Sequence, residues 1–354
     1  MFIKNCWYVA AWASEIGPQA LDGRLIAGEP VVLMRLSDGT VAAFEDRCSH
    51  RFAPLSKGRR EGDSIRCMYH GLKFNCEGQC TEIPGQDAIS PNMGLRKYPI
   101  VERHGAVWIW LGNATLANPE LIPAARGPGD PELTMRWEWL DYAVDYQLIN
   151  DNLCDLSHVS YVHHNTLAMI GGSGWAVSRP KLITHDRGIR YERWFKSSPP
   201  PIGVAAERVD AWQVYEYIAP GILIMPMTFY AEGIADRSNL GPPSADIEPL
   251  QDTYNFQAVT PLTERSTRYF FADGVGRYGG SAEIGEALHQ LTLAAFDQDK
   301  EMITAQQQVI DRSPARKMGP TVHDRAPNHL RLLIEKMLRA EKVDAGRASL
   351  TESP

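Results

Sequence analysis

Between Cys48 and His70 the chain reads CSHRFAPLSKGRREGDSIRCMYH. A Cys-x-His pair, Cys48 and His50, is followed after sixteen residues by a Cys-x-x-His pair, Cys67 and His70. Two thiolates and two imidazoles can ligate a tetrahedral zinc, or a [2Fe–2S] cluster in which two histidines replace two cysteines on one iron. Ligand order favours the cluster. A Cys2His2 zinc site usually places both cysteines before both histidines, whereas here each short segment supplies one of each. Two loops could then grip a diamond-shaped cluster, with both cysteines on one iron and both histidines on the other. Zinc, or four unligated core residues, are the competing readings.

A second concentration of chemistry lies in NDNLCDLSHVSYVHHNTL, residues 150–167, where Asp151, Asp155, His158, His163 and His164 crowd a helical pattern. His158 follows Asp155 by three residues, so both point from one helical face and the carboxylate can steer the imidazole. His163 lies five residues on, about 140° round an ideal helix, so the two histidines share a metal only if the helix distorts or ends between them. Two His with one carboxylate from elsewhere make the facial triad of non-haem Fe(II) oxygenases. In the helical pattern over 281–311, Ile284, Leu288, Leu291, Ala295 and Met302 form an apolar stripe. Asp299 falls at its edge, while Asp297 lies about 200° away and is expected in solvent. A carboxylate on a core-facing stripe is costly unless paired or bound to a metal, which makes Asp299 the candidate third ligand.

The elements that must hold these groups divide into two sets. Pro30–Leu36 and Val41–Glu45 flank Asp38-Gly39 as a hairpin, and Ala106–Leu111 (AVWIWL) closes the pattern as an apolar strand. Residues 1–112 thus predict an all-β domain with the cysteines and histidines on loop tips. A Pro- and Gly-rich stretch follows, then a strand over Arg136–Tyr146 and the helical segment from 147 to 167. Strands are expected at Trp175–Val177, Ile189–Phe195, Trp212–Tyr217, Ile222–Tyr230, Thr253–Thr260 and Arg268–Phe271. A long helix over 281–311 and another over about 328–342 complete an α+β domain of antiparallel sheet and helices, residues 113–343, with 344–354 as a flexible tail.

At 354 residues the chain has room for two cores, and its net charge of -7 argues against nucleic acid or an anionic membrane as a general partner. It holds no apolar run long enough to span a bilayer, and its start lacks the pattern of a signal peptide, so a cytoplasmic location is expected.

The 48–70 segment resembles the Rieske box of the Rieske non-haem iron oxygenases. DNLCDLSHVSYVH and FDQDKEMITAQQQ resemble, respectively, the iron-binding helix and the aspartate-bearing segment of the vanillate O-demethylase and dicamba monooxygenase oxygenase components. The resemblance implies an N-terminal Rieske domain followed by a helix-grip (START-like) catalytic domain. Carried over by residue, Cys48, His50, Cys67 and His70 would bind the cluster, and His158, His163 and Asp299 the iron. Asp155 would bridge His158 to His70 of the partner subunit in a head-to-tail homotrimer. Asn152 matches a position beside the iron, and His164 lies outside the motif. The implied reaction is O2-dependent hydroxylation of an aromatic substrate, most simply O-demethylation of a methoxylated aromatic acid to a phenol and formaldehyde. Methyl or ring hydroxylation and N-dealkylation use the same site.

Gly274-Val275-Gly276-Arg277-Tyr278-Gly279 also matches a dinucleotide fingerprint, with Asp299 twenty residues later. That fingerprint needs a second parallel strand after its helix, and the sequence offers none. NAD(P)H is therefore expected to act only through a separate ferredoxin-type reductase. The seven basic residues of 47–73, among them Lys57 and Arg60, could steer such a partner. A non-catalytic Rieske electron carrier would lack the two-His, one-carboxylate set.

Overall fold

The structure, a computed structural model, describes residues 1–167 and 174–351, with side chains described through Val343. Of the expected tail, the backbone of 344–351 continues a helix, and 352–354 lie outside the described residues. The chain forms two compact units: Met1–Pro123 with Thr260–Glu264, and Ala124–Val259 with Arg265–Pro354.

The first unit is built from strands β1 (Trp7–Trp12), β2 (Asp22–Ile26), β3 (Glu29–Arg35), β4 (Val41–Glu45), β5 (Arg59–Glu61), β6 (Ser64–Arg66), β7 (Lys73–Phe74), β8 (Cys80–Glu82), β9 (Lys97–Tyr98), β10 (Ile100–Arg103) and β11 (Ala106–Trp110). They form three small sheets, ordered β1-β11-β10, β2-β3-β4-β9 and β5-β6-β7-β8. The expected hairpin forms, with Arg35 opposite Val41 and Asp38-Gly39 at its turn. All five residues of β11 are buried, as its unbroken apolar run requires. Cys48 and Cys67 lie in the core of this unit, packed with Val32, Phe44, Leu55 and Phe74. The loops that carry the four candidate ligands are therefore anchored by the apolar cluster beneath them.

The second unit contains β12 (Thr134–Tyr142), α1 (Tyr146–Cys154), α2 (Val159–Val162), α3 (Gly174–Val177), β13 (Lys181–His185), β14 (Gly188–Ser198), β15 (Val209–Ile218), β16 (Ile222–Ala231), α4 (Ile234–Arg237), β17 (Gln251–Thr263), β18 (Ser266–Val275), α5 (Ala282–Arg312) and α6 (Arg325–Thr351). A seven-stranded sheet runs in the order β12-β18-β17-β16-β15-β14-β13. The α+β expectation holds. Trp175–Val177, expected as a strand, lies instead within the single helical turn α3, where Trp175 is buried against Phe195 at 4.6 Å between ring centroids. Tertiary packing of one aromatic ring outweighs the local strand preference there.

The long helix α5 lies against β12 and β18. Its N-terminus is capped by Ser281, whose Oγ accepts from Ile284 N at 3.2 Å. Phe296 packs edge-on against Phe271 and Tyr269, and Tyr142 Oη donates to Phe296 O at 3.0 Å. The buried face is not quite the expected stripe: Met302 is 57% exposed, while Ile303, one position on, is 3% exposed. Asp299 is nonetheless 5% exposed and faces inward, and Asp297 is exposed.

The glycine-rich 274–279 segment ends β18 and turns into α5. A Cβ on Gly276 would lie 1.8 Å from Asp252 Oδ2. Asp252 O accepts from Gly276 N at 2.9 Å, and Asp252 Oδ1 accepts from Tyr278 N at 2.9 Å. These glycines serve a close backbone turn over Asp252, and the neighbouring pairing of β18 with β12 is antiparallel rather than the parallel arrangement of a dinucleotide fold.

Helix α1 is fixed to the sheet by Asn150, which is fully buried. Its Nδ2 donates to Pro220 O at 2.9 Å and its Oδ1 accepts from Tyr217 Oη at 2.7 Å. Asn150→Ala would strand a buried hydroxyl and a carbonyl. It is expected to destabilise the protein by about 1–3 kcal/mol, read as a lowered thermal unfolding midpoint, whereas an unchanged midpoint would show that the anchor is dispensable.

Candidate metal centres

The two cysteine loops repeat one backbone pattern. Cys48 N donates to Ala53 O and Phe52 N donates to Cys48 O, both at 2.9 Å. In the second loop Cys67 N donates to Leu72 O at 2.8 Å and Gly71 N to Cys67 O at 3.0 Å. The residue four beyond each cysteine is left-handed: Phe52 has φ 56° and Gly71 φ 78°. The cysteines are buried and the histidines exposed, with the His50 and His70 rings 4.6 Å apart. Burial pushes the Cys48 thiol to about 11, and the adjacent Cys67 adds to that rise. Two neighbouring buried sulfurs are unfavourable as thiolates unless a cation sits between them, so this pair fits a metal.

The second site depends on a broken helix. α1 ends at Asp155, whose backbone (φ −121°, ψ 89°) leaves the helical region. Its Oδ1 accepts from Ser157 N at 2.9 Å and so caps a 3-10 turn, Leu156–His158, that leads into α2. His163 then terminates α2. This break brings the His158 and His163 rings to 5.3 Å. It also changes the expected role of Asp155. Its backbone oxygen, not its carboxylate, accepts from His158 Nδ1, at 2.6 Å.

Asp299 of α5 meets both histidines. Its Oδ1 is 3.6 Å from His158 Nε2 and its Oδ2 is 3.2 Å from His163 Nε2, and one ligand atom from each of the three residues lies within 4.8 Å of the others. Gln298 Oε1 accepts from His163 Nδ1 at 2.9 Å. With both Nδ1 atoms donating outward, both Nε2 lone pairs are left to converge beside the carboxylate. That is the donor set of a two-His, one-carboxylate site. Burial opposes protonation of His163, but the Asp299 carboxylate outweighs it and lifts the imidazole above its ordinary range. Asn152 Nδ2 donates to Asp299 Oδ1 at 3.1 Å. His164 is exposed, its Nδ1 3.2 Å from Tyr161 O, and is not part of the group.

A cavity of about 230 Å³ opens on this triad. Leu223, Met225, Met227 and Phe229, alternate residues on one face of β16, line it, while Ile224 belongs to the opposite face. Two polar features escaped the sequence reading. Tyr269 Oη donates to Gln257 Oε1, and Gln257 Nε2 donates to Asn255 Oδ1 at 2.5 Å. With its oxygen occupied, Asn255 is left with amide donors at the cavity wall. On β18, Asp273 Oδ1 accepts from His289 Nδ1 of α5 at 2.9 Å. Burial raises the Asp273 carboxyl against the opposing pull of His289, and the hydrogen bond that His289 donates to Asp273 raises the imidazole. Asp155 lines a different cavity, with Arg193, Tyr191 and Tyr215.

The basic stretch beside the cysteine loops is largely spent on local pairs. Arg59, Arg66 and Lys73 converge on Glu61, holding its carboxyl at about 2, and Arg60 is tied to Asp63 and to Pro18 O. Lys57 remains exposed, while Arg60 is a poorer candidate for steering than its sequence position implies.

A cluster-binding all-β unit and a helix-and-sheet unit with a buried His-His-Asp site define a Rieske oxygenase. The chain belongs to this family: residues 6–99 match the Rieske [2Fe-2S] domain, and residues 142–340 match the vanillate O-demethylase oxygenase C-terminal domain. It is 37% identical over 350 residues to the toluene-4-sulfonate monooxygenase system iron-sulfur subunit TsaM1 of Comamonas testosteroni, covering 96% of this chain and 98% of that one. It is 31% identical to the vanillate O-demethylase oxygenase subunit of a Pseudomonas species, covering 100% and 99%. The crystal structure of dicamba monooxygenase bound to 3,6-dichlorosalicylic acid superposes with a TM-score of 0.84 at 29% identity, covering 97% and 99%.

If the triad holds a metal, Gln298 orients one of its ligands. Gln298→Leu is expected to weaken Fe(II) or Co(II) binding about 10–100-fold in a metal titration while leaving the absorbance of the cysteine-loop centre unchanged. Unaltered affinity would remove Gln298 from the site.

Proposed function

We propose that this chain is the terminal oxygenase of a reductase-dependent system that hydroxylates a methyl carbon carried by an aromatic acid, with aryl O-demethylation as the leading reaction. The carrying observation is a mostly apolar cavity that opens directly on His158, His163 and Asp299. In this reading those three residues hold Fe(II), and Cys48, His50, Cys67 and His70 hold the [2Fe–2S] cluster. Bound iron would supply O2 activation and C–H hydroxylation. Overall, an aryl methyl ether, O2, two electrons and two protons give a hemiacetal and water, and the hemiacetal collapses to a phenol and formaldehyde.

The chain's own residues prepare that reaction. Leu223, Met225, Met227 and Phe296 pack an aromatic ring and exclude water. Asn255 offers its amide N–H groups to the acid substituent, and Asn152 holds the Asp299 carboxylate in place. We assign the Rieske function to residues 1–112 and the iron site to 113–343, in a cytoplasmic protein. Electrons would come from NAD(P)H through a separate ferredoxin-type reductase.

We further propose a homotrimer in which Asp155 links His158 to the partner subunit's His70. Phe52, Met68 and Tyr69 of the two histidine-bearing loops are exposed by 71%, 57% and 62%, and Tyr69 packs on His70 at 4.0 Å between ring centroids, which suits docking against protein. Asp155→Asn is expected to keep both metal centres and the thermal midpoint but to lower turnover by about tenfold or more. Full turnover would exclude the relay.

A second reading, hydroxylation of the methyl group of an arylsulfonate, is favoured by the 37% identity to the toluene-4-sulfonate monooxygenase subunit. O2 uptake by the iron-replete protein with a surrogate reductase, with formaldehyde assayed alongside, separates them. Formaldehyde equal to O2 consumed for a methoxybenzoate supports demethylation. Substrate-stimulated uptake without formaldehyde, from 4-methylbenzenesulfonate, transfers the assignment to methyl hydroxylation.

A further inference from the structure

The wall of the triad's cavity contains a carboxylate that is only half satisfied. Asp273 is 2% exposed and lines the cavity. Its Oδ1 is taken by His289, while its Oδ2 is buried and has no hydrogen-bond partner. A buried carboxylate oxygen without a donor is unfavourable by the full cost of its lost hydration. The charged groups around it do not meet that need. Arg136, directly opposite on β12, directs Nε to Glu286 at 3.2 Å and Nη1 to Met135 O. Glu286 and Glu138 carry the wrong sign.

We propose that Asp273 is a specificity-determining residue whose Oδ2 accepts a hydrogen bond from an O–H or N–H on the substrate ring. The substrate class is then an aromatic that carries a hydrogen-bond donor in addition to its methyl-bearing group. This rests on the proposed function only in taking the cavity as the substrate site.

The cavity's other polar groups make the assignment directional. No Lys or Arg is among its described lining residues, so nothing there would neutralise an anion placed against Asp273. An acid substituent must face donors instead, which Asn255 supplies. Asp273 and Asn255 thus present an acceptor and a donor to the same ligand, and a ring lacking its own donor leaves Oδ2 dry and unpaired. Sites of this kind reject the donor-free analogue more strongly than an apolar pocket rejects a missing methyl group. His289 holds Oδ1 and leaves Oδ2 as the free acceptor, so it is a positioning residue.

The test is calorimetric titration of the iron-replete protein with matched ligands. These are 4-hydroxy-3-methoxybenzoate and 4-amino-3-methoxybenzoate against 3,4-dimethoxybenzoate, and 3-hydroxy-4-methylbenzenesulfonate against 4-methylbenzenesulfonate. The wild type is expected to bind a donor-bearing member roughly 10–100-fold more tightly, as for a hydrogen bond to a charged group. The hydroxyl and amino members distinguish O–H from N–H as the donor. In Asp273→Leu the ratio is expected to fall to within about threefold, through weaker binding of the donor-bearing member alone. Should that variant not fold, the wild-type ratios decide. Equal affinities within every wild-type pair overturn the inference, and formaldehyde release from the ethers would still uphold demethylation. Preference for the hydroxylated sulfonate, with no ether turned over, keeps Asp273 and removes demethylation. Binding by no member of either series overturns both.

Discussion

The break in the helix at Asp155 is the constraint on which the catalytic unit depends. In an unbroken helix His158 and His163 would point about 140° apart and could not share a metal. Asp155 leaves the helical region, caps the next turn through its carboxylate, and accepts from His158 through its backbone oxygen. One residue thus ends a helix, starts a turn and fixes the tautomer of a neighbouring imidazole. The candidate third ligand, Asp299, arrives from α5, whose position is set by Phe296 against the sheet and by the bond from Tyr142 to its backbone.

The two units solve opposite problems. In the first, the sulfurs are buried in an apolar core and the imidazoles exposed at loop tips, so a cluster there would be held rigidly yet meet a partner through its histidine side. In the second, the His163 and Asp299 side chains are buried and the reactive space opens inward, where apolar walls exclude water. Asp155, which breaks the helix, borders a cavity distinct from the one that opens on the triad.

Much of this was legible in the sequence because it rests on spacing. The paired Cys-x-His and Cys-x-x-His segments carry their ligand set in one short stretch, and Asp299 could be found by helical phase. That phase was read slightly off, since Met302 is exposed and Ile303 is buried, yet Asp299 lies near enough to the centre of the buried face to survive the error. What was not legible depends on pairing between distant elements. Asp273 and His289 meet only because β18 packs on α5, and His289 has no motif around it. The direction of Asn255 follows from a hydrogen-bond chain that begins on a neighbouring strand at Tyr269. Basic residues beside the cysteine loops suggested an open patch, but Glu61 and Asp63 draw several of them inward.

The central claim is that one chain holds two different iron centres, one of them ligated by both cysteines and two histidines. The most direct test is electron paramagnetic resonance of the dithionite-reduced protein, with nitrogen couplings resolved by electron–nuclear double resonance and with iron and acid-labile sulfide analysed on the same sample. The account predicts a single reduced [2Fe–2S] signal coupled to two histidine nitrogens, and iron exceeding sulfide by one atom per chain. Bound zinc without sulfide, or a cluster signal lacking nitrogen coupling, would contradict it.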